Sequence, residues 1–306
     1  MKQASSNKNI LITGGTGSIG KPLTDALLAN GYSVSHLSRK PGNGNRVKTF
    51  SWNVEKGEID KNCIEGIDIL IHLAGAGIVD ERWTDKRKKE LIDSRADSIG
   101  LIYDLMRKKA NKIHTVISAA AIGYYGDRGD ELMAEGSAPG PGFMPECCVA
   151  WERAIDKGKD LGARIVKYRT GVVLDKRAGA LPQMARPIKL FAGAALGSGK
   201  QWIPWIHWQD AIGTYLFAIE NKHIEGVFNM VSPNPATNQQ LMKAIARQLH
   251  KPLWPFNVPA FVFKLLMGEM SIVILGSTKV SPQKIENAGF QFKHPELPEA
   301  LSDIYG

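Results

Sequence analysis

Three glycines near the start of the chain are spaced for contact with a dinucleotide phosphate. The run Gly14-Gly15-Thr16-Gly17-Ser18-Ile19-Gly20 follows an apolar segment, Asn9 to Thr13, and opens a segment with helical periodicity. Glycine permits the sharp turn and leaves no Cβ before a pyrophosphate, while the helix presents unpaired N–H groups to that anion. The alternative is a turn that only packs a helix on a sheet. The expected contacts with a nicotinamide dinucleotide are Gly14, Thr16, Gly17, Ser18, Ile19 and Gly20.

The end of the second strand-like segment selects between the two nicotinamide cofactors. An Asp or Glu at this point would hold the 2′-hydroxyl of NAD and repel a 2′-phosphate. This chain has Ser38-Arg39-Lys40 instead, and a hydroxyl with two cations suits a phosphate. We therefore expect NADP(H), with NAD less favoured and with Ser38 and Arg39 as contacts. The alternative is that the two cations only begin an exposed loop before Pro41-Gly42.

A second run of small residues, Leu73-Ala74-Gly75-Ala76-Gly77, ends another apolar segment. In a doubly wound sheet, ligands lie across the carboxyl ends of the strands, and small residues there let a sugar pass close to the backbone. Leu73, Ala74 and Gly75 are therefore candidate cofactor neighbours, although an ordinary tight turn accounts for the run equally well.

The elements that must position these residues alternate in type. Strand-like segments are expected at 9–13, 32–37, 47–52, 67–74, 114–120 and 164–174, with helices at 19–29, 85–109 and 145–161 between them. This alternation predicts parallel crossover units and hence an α/β fold with a doubly wound sheet.

The second half of the pattern is less regular. Residues 175–208 are rich in Gly, Ala and Trp, and the following helix at 209–220 has Asp210 as its expected N-terminal cap. A proline-rich stretch, 252–259, predicts a boundary. We expect a nucleotide-binding domain over 1–251, with substrate-side segments from about 175, and a small, mainly helical lobe over 252–306.

Composition excludes several classes of protein. The 306 residues carry a formal net charge of +9, which favours anionic ligands. The basic runs 86–89 and 107–109 are typical of a solvated helix face, and no nucleic-acid-reading module is recognisable, so no nucleic-acid partner is expected. The cysteines are three, an odd number, and two of them are adjacent, which excludes a disulfide framework. No His or Cys spacing suits a zinc site, and no metal is expected.

Location is inferred from the same composition. No apolar run approaches the roughly 18 residues that span a bilayer, and Met1 to Lys8 lacks an apolar signal-peptide core. The most apolar stretch, Pro259 to Leu275, is interrupted by Lys264 and by Gly268-Glu269. We expect a cytoplasmic protein with no membrane partner, and its oligomeric state stays open.

Several further motifs carry a family resemblance. They are Arg82-Trp83, Ser94-Arg95, Gly123-Tyr124-Tyr125-Gly126, Trp151-Glu152, Arg169-Thr170-Gly171-Val172-Val173-Leu174, Gly197-Ser198-Gly199-x-Gln201 and Trp205-Ile206-His207. With the glycine turn and Leu73-Ala74-Gly75, these motifs resemble the epimerase-family proteins of the atypical short-chain dehydrogenase/reductase group. Residues 252–304 are similar to the small C-terminal domain of unknown function in those proteins.

The resemblance implies a Rossmann fold that binds NADP(H). By matching position, Ser38 and Arg39 would contact the adenosine phosphate, and Leu73 and Ala74 would line the cofactor. Glu90 and Arg95 would reach it from the long helix, and Val173 would lie near the nicotinamide.

The resemblance also locates missing catalytic groups. Ordinary members of the superfamily use Tyr-x-x-x-Lys, in which the lysine lowers the pKa of the tyrosine general acid or base. Counting back from Trp151-Glu152 places Met144 at the tyrosine position and Cys148 at the lysine position. The position of the usual Ser or Thr falls at Ala120, with Ser118 two residues earlier. Cys148 is a candidate thiol nucleophile or, as an alternative, a small buried hydrophobe.

Tyr124 and Tyr125 are the other candidate catalytic residues, together with Ser118. The alternative for the two tyrosines is that they pack under the nicotinamide. Both tyrosines follow the fifth strand, where a substrate is expected, and a nearby cation such as Arg95 would be needed to lower a tyrosine pKa. The leading hypothesis is an NADP(H)-dependent reductase or epimerase-like enzyme acting on an unidentified small substrate. The rival is a cofactor-binding regulator without turnover, for example in cell division. Four residues of the second half have two equally good interpretations, as the wall of a substrate pocket or as a packed core strand. They are Trp202, Trp205, His207 and Trp208.

Overall fold

A computed structural model describes residues 8–40 and 46–306. Two expectations therefore fall largely outside the described residues. They are the lack of a signal-peptide core at Met1 to Lys8 and the loop at Pro41-Gly42. The strands in chain order are β1 (Asn9–Thr13), β2 (Ser33–Ser38), β3 (Lys48–Asn53), β4 (Glu58–Ile59), β5 (Ile69–His72), β6 (Thr115–Ala121), β7 (Leu132–Met133), β8 (Arg164–Thr170), β9 (Val172–Leu174), β10 (Trp202–Ile203), β11 (Trp205–His207), β12 (Gly226–Met230), β13 (Ala236–Thr237) and β14 (Lys279–Val280). The α-helices are α1 (Gly20–Ala29), α2 (Asp85–Lys108), α3 (Phe143–Asp156), α4 (Ala180–Lys189), α5 (Trp208–Glu220), α6 (Asn238–Gln248), α7 (Ala260–Met267), α8 (Ile272–Leu275), α9 (Gln283–Asn287) and α10 (Leu297–Tyr305).

Eight strands form one twisted sheet in the order β12-β8-β6-β5-β1-β2-β3-β4. All neighbours are parallel except β3 and the short β4. The chain order reverses between β1 and β5, and ligands of such sheets bind in the crevice at that reversal. This confirms the predicted α/β fold with a doubly wound sheet.

Helices cover both faces of the sheet, which explains why its central strands are apolar without alternation. Leu11 and Leu70 face a cluster that includes residues of α2 and α3, whereas Ile10 and Ile71 face a cluster that includes residues of α1 and α5. The carboxyl edge of these strands is held rigidly between the two layers.

The segment predicted as one strand over 164–174 is divided at Gly171. β8 joins the main sheet, while β9 pairs with β11 outside it. A Cβ at Gly171 would lie 2.5 Å from the carbonyl oxygen of Pro204, so a glycine is needed where the chain changes sheets. The expectation of a single continuous strand was wrong because both halves have the same apolar character.

The expected cap of α5 is also corrected. The Nδ1 atom of His207 accepts a hydrogen bond from the backbone N–H of Gln209. Asp210 is buried, and its carboxylate instead accepts from the backbone N–H groups of Lys293 and His294, at 2.8 and 3.0 Å. Asp210 therefore anchors the C-terminal segment to α5.

The C-terminal residues divide into two parts. Leu297, Leu301 and Ile304 of α10 pack in one cluster with α4 and α6, whereas α7 has no buried residue. No helix of the described residues is long and apolar enough to cross a membrane.

Candidate functional site

The glycine turn lies at the carboxyl end of β1. Gly14 has a φ of +69°, which favours glycine, and a Cβ there would lie 2.9 Å from the backbone carbon of Leu73. A Cβ on Gly20 would collide with the carbonyl oxygen of Gly14. The turn is therefore closed against both β5 and α1, and its sequence leaves no room for side chains at these positions.

The N-terminus of α1 is open to an anion. No side chain caps the helix at Ile19, and no acid lies in its first turn. Thr16, Gly17 and Ser18 are exposed at the turn. Because the first N–H groups of a helix and its dipole favour negative charge, this cradle fits a pyrophosphate.

The end of β5 meets the glycine turn. The Thr13 hydroxyl oxygen accepts from the backbone N–H groups of Leu73 and Ala74, both at 3.1 Å. A Cβ on Gly75 would lie 3.2 Å from Cγ of Arg95. The structure thus brings together the two small-residue runs that the sequence predicts as cofactor neighbours.

Arg95 on α2 holds the residues that follow β5. Its guanidinium donates to the carbonyl oxygens of Leu91 and Ala76, at 2.8 and 2.9 Å, and lies 5.0 Å from the ring centroid of Trp151. Burial lowers the pKa of Arg95. Arg95 thus lies beside Gly75, and its contact with a cofactor stays a prediction.

Glu90 lies on the exposed side of the same helix. Its carboxylate accepts from Arg87 at 2.8 Å, and Arg87 also donates to the carbonyl oxygen of Gly77 at 2.8 Å. Glu90 is therefore connected to the segment after β5 through Arg87.

The remaining predicted cofactor residues lie at strand ends. Ser38 ends β2, and its hydroxyl accepts from the backbone N–H of Lys40 at 3.2 Å, which leaves Arg39 exposed on the turn. Val173 is half-buried and pairs with Ile206 in the β9–β11 ladder.

The tyrosine pair follows β6 in a short 3-10 helix, Ile122–Tyr125. Tyr125 is fully buried; its hydroxyl donates to Oδ1 of Asn229 at 2.6 Å and accepts from Arg169 at 3.0 Å. Burial raises the pKa of Tyr125, although the Arg169 charge opposes that shift. Tyr124 is half-buried, with its ring edge-to-face against Tyr125 at 5.4 Å.

Arg169 is the cation beside the tyrosine pair. Its guanidinium carbon lies 3.4 Å from the ring centroid of Tyr124. Nε and Nη2 donate to the two carboxylate oxygens of Glu152, at 2.7 and 3.1 Å. Burial alone would lower the pKa of Arg169, but the bonds to Glu152 outweigh it and raise that pKa above its usual value. Sequence reasoning named Arg95 for this role and missed Arg169, although it quoted the motifs that contain both Arg169 and Glu152.

Met144 and Cys148 pack on the chain just before Tyr124. A Cβ on Gly123 would lie 2.6 Å from Cε of Met144 and 3.4 Å from Sγ of Cys148. Burial, reinforced by Cys147, raises the pKa of Cys148. A buried thiol that resists ionisation is a small hydrophobe rather than a nucleophile.

Ser118 is fully buried on β6. Its hydroxyl lies 3.0 Å from the carbonyl oxygen of Ala119 and 3.3 Å from Nδ1 of His72. Burial, with the Arg95 charge, lowers the pKa of His72 to about 3, so the imidazole is neutral. The structure places Ser118 in this buried pair, and Ala120 leaves no hydroxyl at its own position.

Other polar residues of the second half are structural. Trp205 is fully buried and donates to the carbonyl oxygen of Asn234 at 2.9 Å, as in a packed core strand. His207, His294 and Asp303 place possible metal-ligand atoms within 4.8 Å of one another. Nδ1 of His207 accepts the capping bond from Gln209, and Nε2 lies 3.2 Å from Oδ2 of Asp303 without forming a hydrogen bond. Nδ1 is therefore already bonded within the fold.

Fold and site define an NAD(P)-binding Rossmann protein of the extended short-chain dehydrogenase/reductase type. Residues 10–142 match the model of the NAD dependent epimerase/dehydratase family, and residues 258–304 match a domain of unknown function, DUF1731.

Full-length relatives narrow this class. Epimerase family protein YfhF of Bacillus subtilis is 36% identical over 97% of this chain and 97% of its own length. Epimerase family protein ML0860 of Mycobacterium leprae is 35% identical over 99% of this chain and 97% of its own length. The chain belongs to the epimerase family proteins of the atypical short-chain dehydrogenase/reductase group.

Solved structures agree with this assignment. The human epimerase family protein SDR39U1 (isoform2), solved with NADPH, superposes on this chain with a TM-score of 0.85 and 30% sequence identity. The match covers 97% of this chain and 99% of the human chain. UDP-N-acetylglucosamine 4-epimerase from Bacillus cereus shares the fold, with a TM-score of 0.77 at 17% identity over 97% of this chain and 95% of its own.

Proposed function

We propose that this chain is an NADP(H)-dependent oxidoreductase or epimerase-like enzyme on a small substrate, with Tyr124 as its proton-transfer residue. The observation that carries the proposal is the Arg169 guanidinium, 3.4 Å from the ring centroid of Tyr124. Cation–π attraction holds a guanidinium on the face of an aromatic ring. Arg169 therefore places a cation beside a candidate proton-transfer tyrosine, in a chain where Cys148 replaces the usual lysine.

The reaction requires hydride transfer and proton transfer, which two different groups would provide. Bound NADP(H) would supply hydride transfer at its nicotinamide ring. Tyr124 exchanges the proton with the substrate oxygen, while Glu152 fixes Arg169 so that its charge stays at the ring. Tyr125 is less suited to this step because its hydroxyl is already bonded to Asn229 and Arg169.

Replacing each tyrosine by phenylalanine tests the assignment. Oxidation of NADPH by the wild-type protein is measured against a broad panel of carbonyl compounds, followed by Tyr124→Phe and Tyr125→Phe with any active substrate. Loss of a proton-transfer group costs about 10²- to 10⁴-fold in rate, and we expect this for Tyr124→Phe with unchanged NADPH affinity. Failure of the wild-type protein to oxidise NADPH with any carbonyl would contradict the proposal and favour a cofactor-binding regulator.

The preference for NADP(H) over NAD(H) is part of the proposal. It is supported by Ser38-Arg39-Lys40 at the end of β2 and by the NADPH in the human relative. Arg39→Ser should weaken NADPH binding about tenfold, the usual worth of one charge-assisted bond to a phosphate, and leave NADH binding unchanged. Arg107→Ser, which removes an exposed cation at the far end of α2, is the matched control. An equal effect on both cofactors would contradict the preference.

A further inference from the structure

The described residues expose a concentrated apolar surface. Of eleven exposed large apolar side chains, nine lie at 190–191 and 254–273. Seven of them, each 55% to 77% exposed, form what we call the apolar ridge: Leu190, Phe191, Trp254, Phe256, Phe261, Leu265 and Leu266. Concentrations of exposed apolar side chains commonly mark a surface that contacts a partner or a membrane.

Hydrogen bonds join two segments that carry the ridge. Trp254 donates from its indole nitrogen to the carbonyl oxygen of Phe191 at 2.7 Å and from its backbone to Gly193 at 2.8 Å. The N–H of Val258 donates to the carbonyl oxygen of Ala195 just before α7 begins. The segments at 190–195 and 254–258 therefore lie side by side, and α7 follows directly in the chain.

The segments that carry the ridge are free of acidic residues. Neither 178–209 nor 226–268 contains an Asp or Glu, whereas Lys or Arg occupies seven positions. Seven of the nine net positive charges of the chain are therefore concentrated in these two segments.

Three of these cations lie on the ridge itself. Lys251 places its Nζ 4.2 Å from the ring centroid of Phe191. Lys264 is exposed on α7 three residues after Phe261, and Lys189 directly precedes Leu190. Lysines interleaved with exposed aromatic and aliphatic side chains are the pattern of a helix that lies on an anionic bilayer.

Two other cations of the same segments lie elsewhere. Lys243 and Arg247 line a groove between α6 and α10 that Glu296 and Glu299 also line. They share that groove with acidic residues and are not counted in the ridge.

We propose that the apolar ridge docks this protein on an anionic membrane surface. Its apolar side chains would enter the headgroup region while Lys189, Lys251 and Lys264 stay at the lipid phosphates. The expectation of no membrane partner rested on the lack of a spanning segment, which does not bear on a surface contact. The proposal is independent of the reaction at Tyr124.

Two other occupants fit the ridge less well. A symmetric dimer through the ridge would place the lysines of one copy against those of the other, which is unfavourable. Single-stranded nucleic acid would stack on the aromatic rings but gives no partner for Leu190, Leu265 or Leu266. An anionic bilayer satisfies the charges and the aliphatic side chains together.

Co-sedimentation with vesicles tests the proposal. The full chain is mixed with phosphatidylcholine vesicles, and with vesicles that carry about 30 mol% phosphatidylglycerol. We expect binding to the anionic vesicles that weakens with salt, and a blue shift of tryptophan emission that Trp254→Phe reduces.

Matched variants distinguish binding through the ridge from nonspecific binding to vesicles. Phe261→Ser with Leu265→Ser, and separately Lys251→Gln with Lys264→Gln, should each reduce binding at least about tenfold, since one surface cation alone is worth roughly fivefold. Leu132→Ser, an exposed apolar residue outside the ridge, and Lys86→Gln with Lys108→Gln are the controls. Circular dichroism and thermal melting establish that every variant is folded.

The proposal is overturned if the protein does not bind anionic vesicles, or if it binds neutral vesicles equally well. It is also overturned if the control variants lose as much vesicle binding as the ridge variants, or if the protein binds single-stranded DNA but not vesicles. Sedimentation velocity that shows a dimer dissociated by Phe261→Ser with Leu265→Ser would assign the ridge to self-association instead.

Discussion

The carboxyl edge of the sheet has two regions that are built differently. Around β1, β2 and β5 the site is made of backbone turns, and its key residues are close in sequence, as in Gly14 to Gly20. Around β6 and β8 it is made of side chains from separate elements. Tyr125 bonds to Arg169 and Asn229, which are 44 and 104 residues away along the chain.

This difference explains how one region keeps its family pattern while the other departs from it. A backbone cradle for a pyrophosphate requires glycines and one helix N-terminus, and no single side chain supplies its affinity. A proton-transfer site depends on individual side chains, so Met144 and Cys148 remove the usual pair at once. The buried Arg169–Glu152 pair beside Tyr124 gives the second region a cation again.

The side-chain region should be the more sensitive to a single substitution. Glu152→Gln leaves the buried Arg169 without its carboxylate, while Lys167 keeps Asp156 at 2.8 Å. Removing one partner of a buried ion pair costs about 3–5 kcal/mol, which we expect in the free energy of unfolding measured with urea. Glu131→Gln, an exposed carboxylate 4.0 Å from Arg128, should cost less than about 1 kcal/mol. Similar losses in the two variants would contradict this account of the region.

The same contrast governs what the sequence predicts. The glycine turn and the alternation of strands with helices follow from local patterns, and the structure confirms the doubly wound sheet. The role of Arg169 could not be predicted because its partners, Tyr124 and Glu152, come from other elements. Helix α4 was missed because Pro182 and Pro187 obscure the spacing of its buried residues, which are Leu181, Ala185 and Ile188. β8 and β9 were merged because an apolar pattern does not show which sheet a strand joins.

Two buried histidines should make the stability of the fold depend on pH. His72 lies on β5 and His207 on β11, and burial lowers their pKa values to about 3 and about 4 from 6.5. A folded pKa below the unfolded one means that the stability is fully present above pH 6.5 and is lost as pH falls towards the folded value. Each should cost about 3 kcal/mol between pH 7 and pH 4, at 1.36 kcal/mol per unit.

Urea unfolding at the two pH values measures this cost. His72→Gln and His207→Gln should each reduce the difference between pH 7 and pH 4 by about 3 kcal/mol, since the carboxylates titrate alike in all variants. His223→Gln, at an exposed position, should leave the difference unchanged. If His207→Gln kept the wild-type pH dependence while His72→Gln lost part of it, the Asp303 carboxylate would be keeping His207 protonated in the folded protein.

The backbone region should respond to one methyl group where the turn is closed. In Gly20→Ala the new Cβ meets the carbonyl oxygen of Gly14, and such overpacking costs about 1–3 kcal/mol. Because the same movement displaces the N–H groups that face the pyrophosphate, we expect the rise in Tm on adding NADPH to disappear. Gly100→Ala is the matched control, since a Cβ there meets nothing within 4 Å and alanine favours a helix by roughly 0.5–1 kcal/mol. Gly20→Ala would contradict this account if NADPH still raised its Tm as much as that of the wild type. Cofactor binding would then depend less on the turn than on side chains such as Arg39, and the contrast between the two regions would not hold.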